Sequence, residues 1–194
     1  MIKVIGLTGG IGSGKTTIAN HIKSLGIPVY NSDEQAKKIL YLPETIASLK
    51  LVFGDDVFTN DLFDKKKLSK LVFNDPKKLK LLNQIIHPLV NVDFEKWLIA
   101  NSNSPLVIKE AAILFESGSF RDCDVIISIA APQELRIQRV IDRDHLTFDE
   151  VMSRINNQWT DEMRIKRSDY IIDNQEIEKA CAQTEKIIKI LLNQ

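Results

Sequence analysis

GLTGGIGSGKTT, Gly6 to Thr17, stands almost at the start of a chain of 194 residues. Within it, Gly9 to Thr16 form a complete G-x-x-x-x-G-K-[ST] run. Each residue type has a task there. Glycines let the backbone wrap so that successive N–H groups face phosphate oxygens. A helix that follows presents its positive N-terminus to the same anion. Lys15 can reach the β- and γ-phosphates, and the Thr16 hydroxyl can bind Mg²⁺. A glycine-rich turn matching by accident would need neither a strand before it nor a helix after it, and the sequence offers both. ATP or GTP with Mg²⁺ is the expected ligand.

The flanks extend this reading along the chain. Ile2–Thr8, "IKVIGLT", reads as a short buried strand. A helix is expected from near Gly14 to about Leu25, with Ile18, Ile22 and Leu25 on one face. Gly26 ends it, and Ile27–Tyr30 reads as a second strand. "SDEQAKKIL" begins another helix, and the region from about Glu44 to Ser102 reads as mostly helical. There Asp75-Pro76 marks a helix start, and Pro88 is expected to kink a long apolar run. Pro105–Ala111 and Cys123–Ala131 read as strands three and four. Pro132 opens a helix, Thr147–Ser168 is polar and helix-prone, Asp169–Asp173 is a fifth strand, and a helix closes the chain. Strands alternating with helices predict an α/β, three-layer fold with a five-stranded parallel sheet and right-handed crossovers. Near-continuous apolar strands such as "VIISIAA" fit burial on both faces. Ligands of such sheets bind at the carboxyl ends of the strands.

Composition narrows the function classes. Lys+Arg and Asp+Glu balance at 26 each, so no basic field would draw nucleic acid or a membrane surface. No apolar run reaches the ~18–20 residues that span a bilayer, and the N-terminus does not read as a signal peptide. Cys123 and Cys181 lack metal-ligand spacing and read as reduced thiols. The expectation is a soluble cytoplasmic protein. A GTPase switch would show D-x-x-G and N-K-x-D, and neither string occurs. A small-molecule kinase, with a helical segment after strand two and a mobile lid that excludes water, fits better.

Residues after the other strands supply the candidate chemistry. Asp33 would sit at the carboxyl edge of strand two, where a carboxylate could accept a proton from an attacking hydroxyl. Ser32-x-x-Gln35 also reads as a capping box, so this stretch could simply start a helix. Glu110, after strand three, could hold Mg²⁺ directly or through water, or could be salt-bridged. Glu116 is a second acidic candidate there, for contact with substrate. Arg136, Arg139 and Arg143 share a helix face, followed by Arg154, Arg164 and Arg167. They read as a lid that stabilises phosphoryl charge, or as a solvated face paired with Asp142, Asp144 and Glu150. His87, before Pro88, is a packed histidine or a substrate contact.

Taken together, "GLTGGIGSGKTT", "NSDE", "IHPLV", "LFESG", "RD-x-L-T" with "RI-x-x-Q", and "SDYIIDN" closely resemble the dephospho-CoA kinase family, over residues 2 to 174 or so. The resemblance implies transfer of the γ-phosphate of ATP to the ribose 3′-hydroxyl of 3′-dephospho-CoA. It implies a P-loop kinase with a core over about 1–32, 104–138 and 168–194, a helical CoA-binding region over about 33–103, and a lid over about 139–167. It implies that Asp33 is the base and that Gly12, Ser13, Gly14, Lys15, Thr16 and Thr17 contact the ATP phosphates. It puts His87 in the CoA-binding region, Arg139 on the lid and Asn174 at the adenine end. One departure stands out. Many members read D-x-P-L-L-F-E where this chain has Glu110-Ala111-Ala112-Ile113-Leu114-Phe115-Glu116, which leaves the Mg²⁺ role of Glu110 open. Another small-molecule P-loop kinase, acting on a nucleoside monophosphate or small alcohol, and a non-catalytic nucleotide-binding protein are the rival readings. No apolar stripe marks an interface, so oligomeric state is left open.

Overall fold

The computed structural model describes residues 2–73 and 75–193; Met1, Asn74 and Gln194 lie outside them, Asn74 within the stretch read as helical. The chain divides into two compact units, residues 1–31 with 100–194, and residues 32–99.

The first unit is built on five parallel strands, β1 (Lys3–Gly9), β2 (Val29–Asn31), β5 (Leu106–Glu110), β6 (Val125–Ala130) and β7 (Tyr170–Asp173), in the order β2-β5-β1-β6-β7. Parallel neighbours need crossovers, and helices supply them. α1 (Lys15–Ser24) follows β1, α6 (Gln133–Asp144), α7 (Phe148–Asn156) and α8 (Asp161–Ile165) separate β6 from β7, and α9 (Ile177–Leu192) closes the unit. β1 is central and is buried from Val4 to Gly9: Ile5 and Leu7 are fully buried, and they pack with Ile18 and Ile22 of α1 and Ile187 and Ile188 of α9. Fully burying a side chain of this size stabilises by about 1.5–3 kcal/mol, so this cluster accounts for much of the unit's cohesion. Ala111, Leu114, Phe115 and Ile126 form a second cluster, on which Trp159 stacks parallel to Phe115 at 5.3 Å. Charged residues inside this unit are paired. Lys109, buried mid-sheet, donates to Asp122 at 2.8 Å.

The second unit holds α2 (Ser32–Ile39), α3 (Pro43–Phe53), the two-strand hairpin β3 (Phe58–Thr59) and β4 (Leu62–Phe63), α4 (Lys65–Phe73) and α5 (Pro76–Ala100). Leu49, Phe53, Val57, Phe58, Leu68 and Val72 make its core. The hairpin was not expected in a region read as helical. It turns on Asn60 and Asp61, both at positive φ, a left-handed pair that favours tight hairpin turns. α5 continues on both sides of Pro88. The Ser32 capping box is not formed. α2 already begins at Ser32, whose buried hydroxyl has no hydrogen-bond partner among the described residues.

Candidate active site

The carboxyl ends of the central strands converge on the phosphate loop. β1 ends at Gly9, level with Ile129 of β6, and Leu7 is level with Glu110 of β5. Ser13 N–H closes a turn on the Gly10 carbonyl at 3.0 Å. Gly14, at φ 87°, then caps α1 in the left-handed region, where a side chain would be strained. Space forbids one as well, since a Cβ on Gly14 would lie 2.0 Å from Asn174 Nδ2. Thr16 and Thr17 are exposed on the first turn of α1.

Lys15 Nζ donates to Glu110 Oε1 in a short ion pair. The glutamate side chain is only 2% exposed, and its second oxygen is buried without a partner among the described residues. An unmet buried carboxylate oxygen is costly, so the site retains capacity for a cation or a water-bound ion. The Lys15 ammonium needs a counter-ion when no phosphate is present, and Glu110 provides it.

On the far side of the loop, Asn174 follows β7. Its backbone N–H donates to the Ala130 carbonyl at 2.8 Å, and its Nδ2 donates to the Ser13 carbonyl at 2.7 Å. Arg139 donates to the Asn174 and Gln175 carbonyls at 3.0 and 3.3 Å. A cavity of about 370 Å³ opens here, lined by Gly12, Gly14, Thr17, Arg139, Asn174 and Ile177 among others. Ligand pockets run from about 300 to 1,000 Å³, so a nucleoside can be accommodated beside the loop.

The first unit thus brings together Gly12, Ser13, Gly14, Lys15, Thr16, Thr17, Glu110, Arg139 and Asn174. Glu116 serves a different neighbourhood. It accepts the Trp159 N–H at 2.9 Å and pairs with Arg164 at 3.4 Å. Asp33 and His87 belong to the second unit, Asp33 in the first turn of α2 and His87 half-buried on α5. Burial pushes the His87 pKa below its ordinary value, so its ring is neutral at pH 7.

Two of the arginines read as a lid face are not on a free surface. Arg136 and Arg164 are both buried, sharing Asp161 as counter-ion. Helical spacing shows that side chains share a face but not what that face meets. Arg143 is solvated and bonds Asp144 with two 2.7 Å contacts, and Glu150 closes a capping box on Thr147. Gln158 entered the sequence reading only as the Gln of "RI-x-x-Q", with no role given to it, and Asp161 was not singled out. Gln158 donates no obvious chemistry, and Asp161 follows Thr160 in what reads as an ordinary helix cap.

Comparison with known proteins agrees with this geometry. The family model for dephospho-CoA kinase matches residues 3–179. A dephospho-CoA kinase from Chlorobaculum tepidum is 37% identical, across 97% of this chain and 95% of that protein. A solved structure from Thermus thermophilus superposes with a TM-score of 0.90 at 32% identity, covering 97% of both chains. The dephospho-CoA kinase of Campylobacter jejuni superposes with a TM-score of 0.73 at 26% identity, over 100% of this chain and 98% of that one. With a family match across nearly the whole chain and a formed phosphate loop at its sheet edge, this chain belongs to the dephospho-CoA kinase family.

Proposed function

We propose that this enzyme transfers the γ-phosphate of ATP to the ribose 3′-hydroxyl of 3′-dephospho-CoA, giving CoA and ADP, the last step of CoA biosynthesis. The observation that carries the proposal is a complete phosphate loop, pre-shaped by Gly14 and Asn174, in a chain that matches the family model from residue 3 to 179.

In this reading the loop and Lys15 hold the β- and γ-phosphates, and the adenosine occupies the cavity beside Arg139 and Asn174. Phosphate binding gives the Lys15 ammonium a second anionic partner besides Glu110. Asp33 aligns the 3′-hydroxyl and takes its proton as the oxygen attacks phosphorus. The bond to the β–γ bridging oxygen breaks, and that oxygen leaves on ADP. His87, neutral, contacts the CoA moiety within the 33–103 region, and Glu116 acts on substrate only through the segment it anchors. The 139–167 segment closes as a lid, and Arg139 exchanges its two carbonyl partners for the phosphoryl oxygens. Most of the acceleration comes from positioning and charge stabilisation.

The residues present suit Mg²⁺. Thr16 supplies a hydroxyl and Glu110 a buried unpartnered oxygen, hard donors of the kind that hold Mg²⁺ together with water and substrate phosphates. When bound there, the ion spreads the charge of the β- and γ-phosphates. The thiols of Cys123 and Cys181 are free, which suits a reducing compartment, and we place the reaction in the cytoplasm.

The test is ADP release coupled to product identification, with ATP, Mg²⁺ and 3′-dephospho-CoA beside AMP, CMP, shikimate and gluconate. Turnover confined to dephospho-CoA, with a product one phosphate heavier, is expected. Turnover of another acceptor alone would overturn the proposed acceptor and leave the nucleotide site intact.

A further inference from the structure

The crown of the phosphate loop is held from outside by residues that no phosphate would touch. Ile11 N–H donates to Gln158 Oε1 at 2.9 Å, and the Ile11 carbonyl accepts from Arg136 Nε at 2.9 Å. Both backbone groups of one loop residue are thus fixed by side chains 125 and 147 positions away. Neither adjoining peptide plane can rotate without breaking one of these bonds. Arg136 also explains two of the loop's glycines. A Cβ on Gly10 would lie 2.5 Å from its guanidinium, and one on Gly12 would lie 2.3 Å from its carbonyl oxygen.

The charge of Arg136 is carried onward through buried and partly buried partners. Its guanidinium forms a short ion pair with Asp161, which also accepts from Arg164 at 3.0 Å. Arg164, 1% exposed, pairs with Glu116, and Glu116 accepts the Trp159 N–H. Buried ion pairs are weak sources of stability, because desolvation offsets their attraction. A run of alternating charges that ends on the backbone of a ligand loop is better explained by the geometry it imposes.

We infer that Gln158, Arg136 and Asp161 are positioning residues for phosphoryl transfer: they set the curvature of the phosphate loop and tie to it both ends of the 137–157 stretch, which makes up most of the 139–167 segment. Arg136 lies one helical turn before Arg139, and Gln158 and Asp161 lie beyond α7. The segment between them is anchored at each end on the residues that shape the nucleotide site. A nucleotide that fixes the loop therefore biases the segment, and the reverse holds by linkage. The inference rests on the proposed reaction only for its kinetic readout.

The experiment uses the full chain with Gln158→Leu, Gln158→Glu, Arg136→Met and Arg136→Lys. ADP affinity is measured by calorimetry, KM for each substrate by ADP release, and folding by thermal denaturation. Gln158→Leu should weaken ADP binding and raise KM for ATP by about tenfold, the effect of one lost hydrogen bond in a preorganised loop, with KM for dephospho-CoA unchanged. Gln158→Glu keeps the acceptor and should recover to within about threefold of wild type. Arg136→Lys cannot bond Ile11 and Asp161 together through one planar fork. It should match Arg136→Met in nucleotide affinity while melting close to wild type. Wild-type ADP affinity in both Gln158→Leu and Arg136→Lys would overturn the inference, as would equal loss toward both substrates without rescue by Gln158→Glu. Calorimetry needs no acceptor, so absence of dephospho-CoA turnover in the wild type would strike the proposed reaction alone.

Discussion

In the proposed mechanism Lys15 carries a double burden, because the ammonium that would bind phosphate is also the counter-ion of a buried glutamate. Its side chain is 12% exposed and that of Glu110 is 2%. Lys15→Ala should abolish turnover, and it should also destabilise the fold by about 3–5 kcal/mol, since Glu110 would be left buried and uncompensated. Thermal denaturation separates the two effects. Lys15→Ala with Glu110→Gln should regain most of the lost melting temperature and none of the activity. If Lys15→Ala melts like wild type, Glu110 is not the ion-pair partner. Asp33 is argued from chemistry instead: Asp33→Asn should lower kcat by roughly 10²–10⁴, the usual worth of general acid–base catalysis. Turnover within a few-fold of wild type would remove it as the base. Residue types with a fixed chemical task, such as Lys15 and Thr16, were legible in the sequence because spacing alone defines them. Arg136 was not, because its helical spacing is that of a solvated face, and only the fold shows Ile11 and Asp161 waiting against it.

Helix ends repeat this contrast. Thr147 and Glu150 cap α7 reciprocally, with Thr147 N–H donating to Glu150 at 2.8 Å and Glu150 N–H donating to Thr147 Oγ1 at 3.3 Å. Their hydrogen bonds hold the Glu150 carboxyl below its ordinary pKa. Thr147→Ala should cost about 1 kcal/mol of stability, read as a lower urea midpoint at unchanged slope. An unchanged midpoint would mean that α7 is anchored by Val151 in the cluster with Ile137 and Val140 rather than by its cap. The five strands were legible because each carries a short, mainly apolar run, such as Leu106–Ile108 or Val125–Ile127, of a length that suits a buried strand. The short hairpin at Phe58–Phe63 was not. Two-residue strands carry no period, and its only sequence signal is the Asn60-Asp61 pair. The Thr147–Ser168 stretch read as one helix-prone segment, and it forms two helices separated at Asn157–Thr160. That break is where Gln158 leaves the helical path and reaches the phosphate loop.

Stability of the whole chain should carry the signature of one partly buried thiol. Burial pushes Cys123 up to about 12 from an ordinary 9.0, an environment in which the neutral thiol is favoured. The sign follows from which state holds the proton. Below pH 9 the thiol is protonated folded and unfolded, and Cys123 contributes no pH dependence. Between pH 9 and about 12 the unfolded chain releases the proton and the native chain keeps it. Stability then falls as pH rises, by up to about 1.4 kcal/mol per unit. Urea midpoints of the wild type and Cys123→Ala, taken at intervals from pH 8 to 10.5, measure this. Cys123 packs beside Leu114 and Phe115, so the variant will also lose packing energy at every pH, and the comparison is therefore of slopes. The wild type should steepen above pH 9 relative to Cys123→Ala. Equal slopes would mean that the thiol ionises as readily in the folded chain as in the unfolded one, which solvent reaching the cluster of Ala111, Leu114 and Phe115 would explain. Maleimide labelling of native protein at pH 8 distinguishes that case, since a sealed cluster keeps Cys123 unmodified.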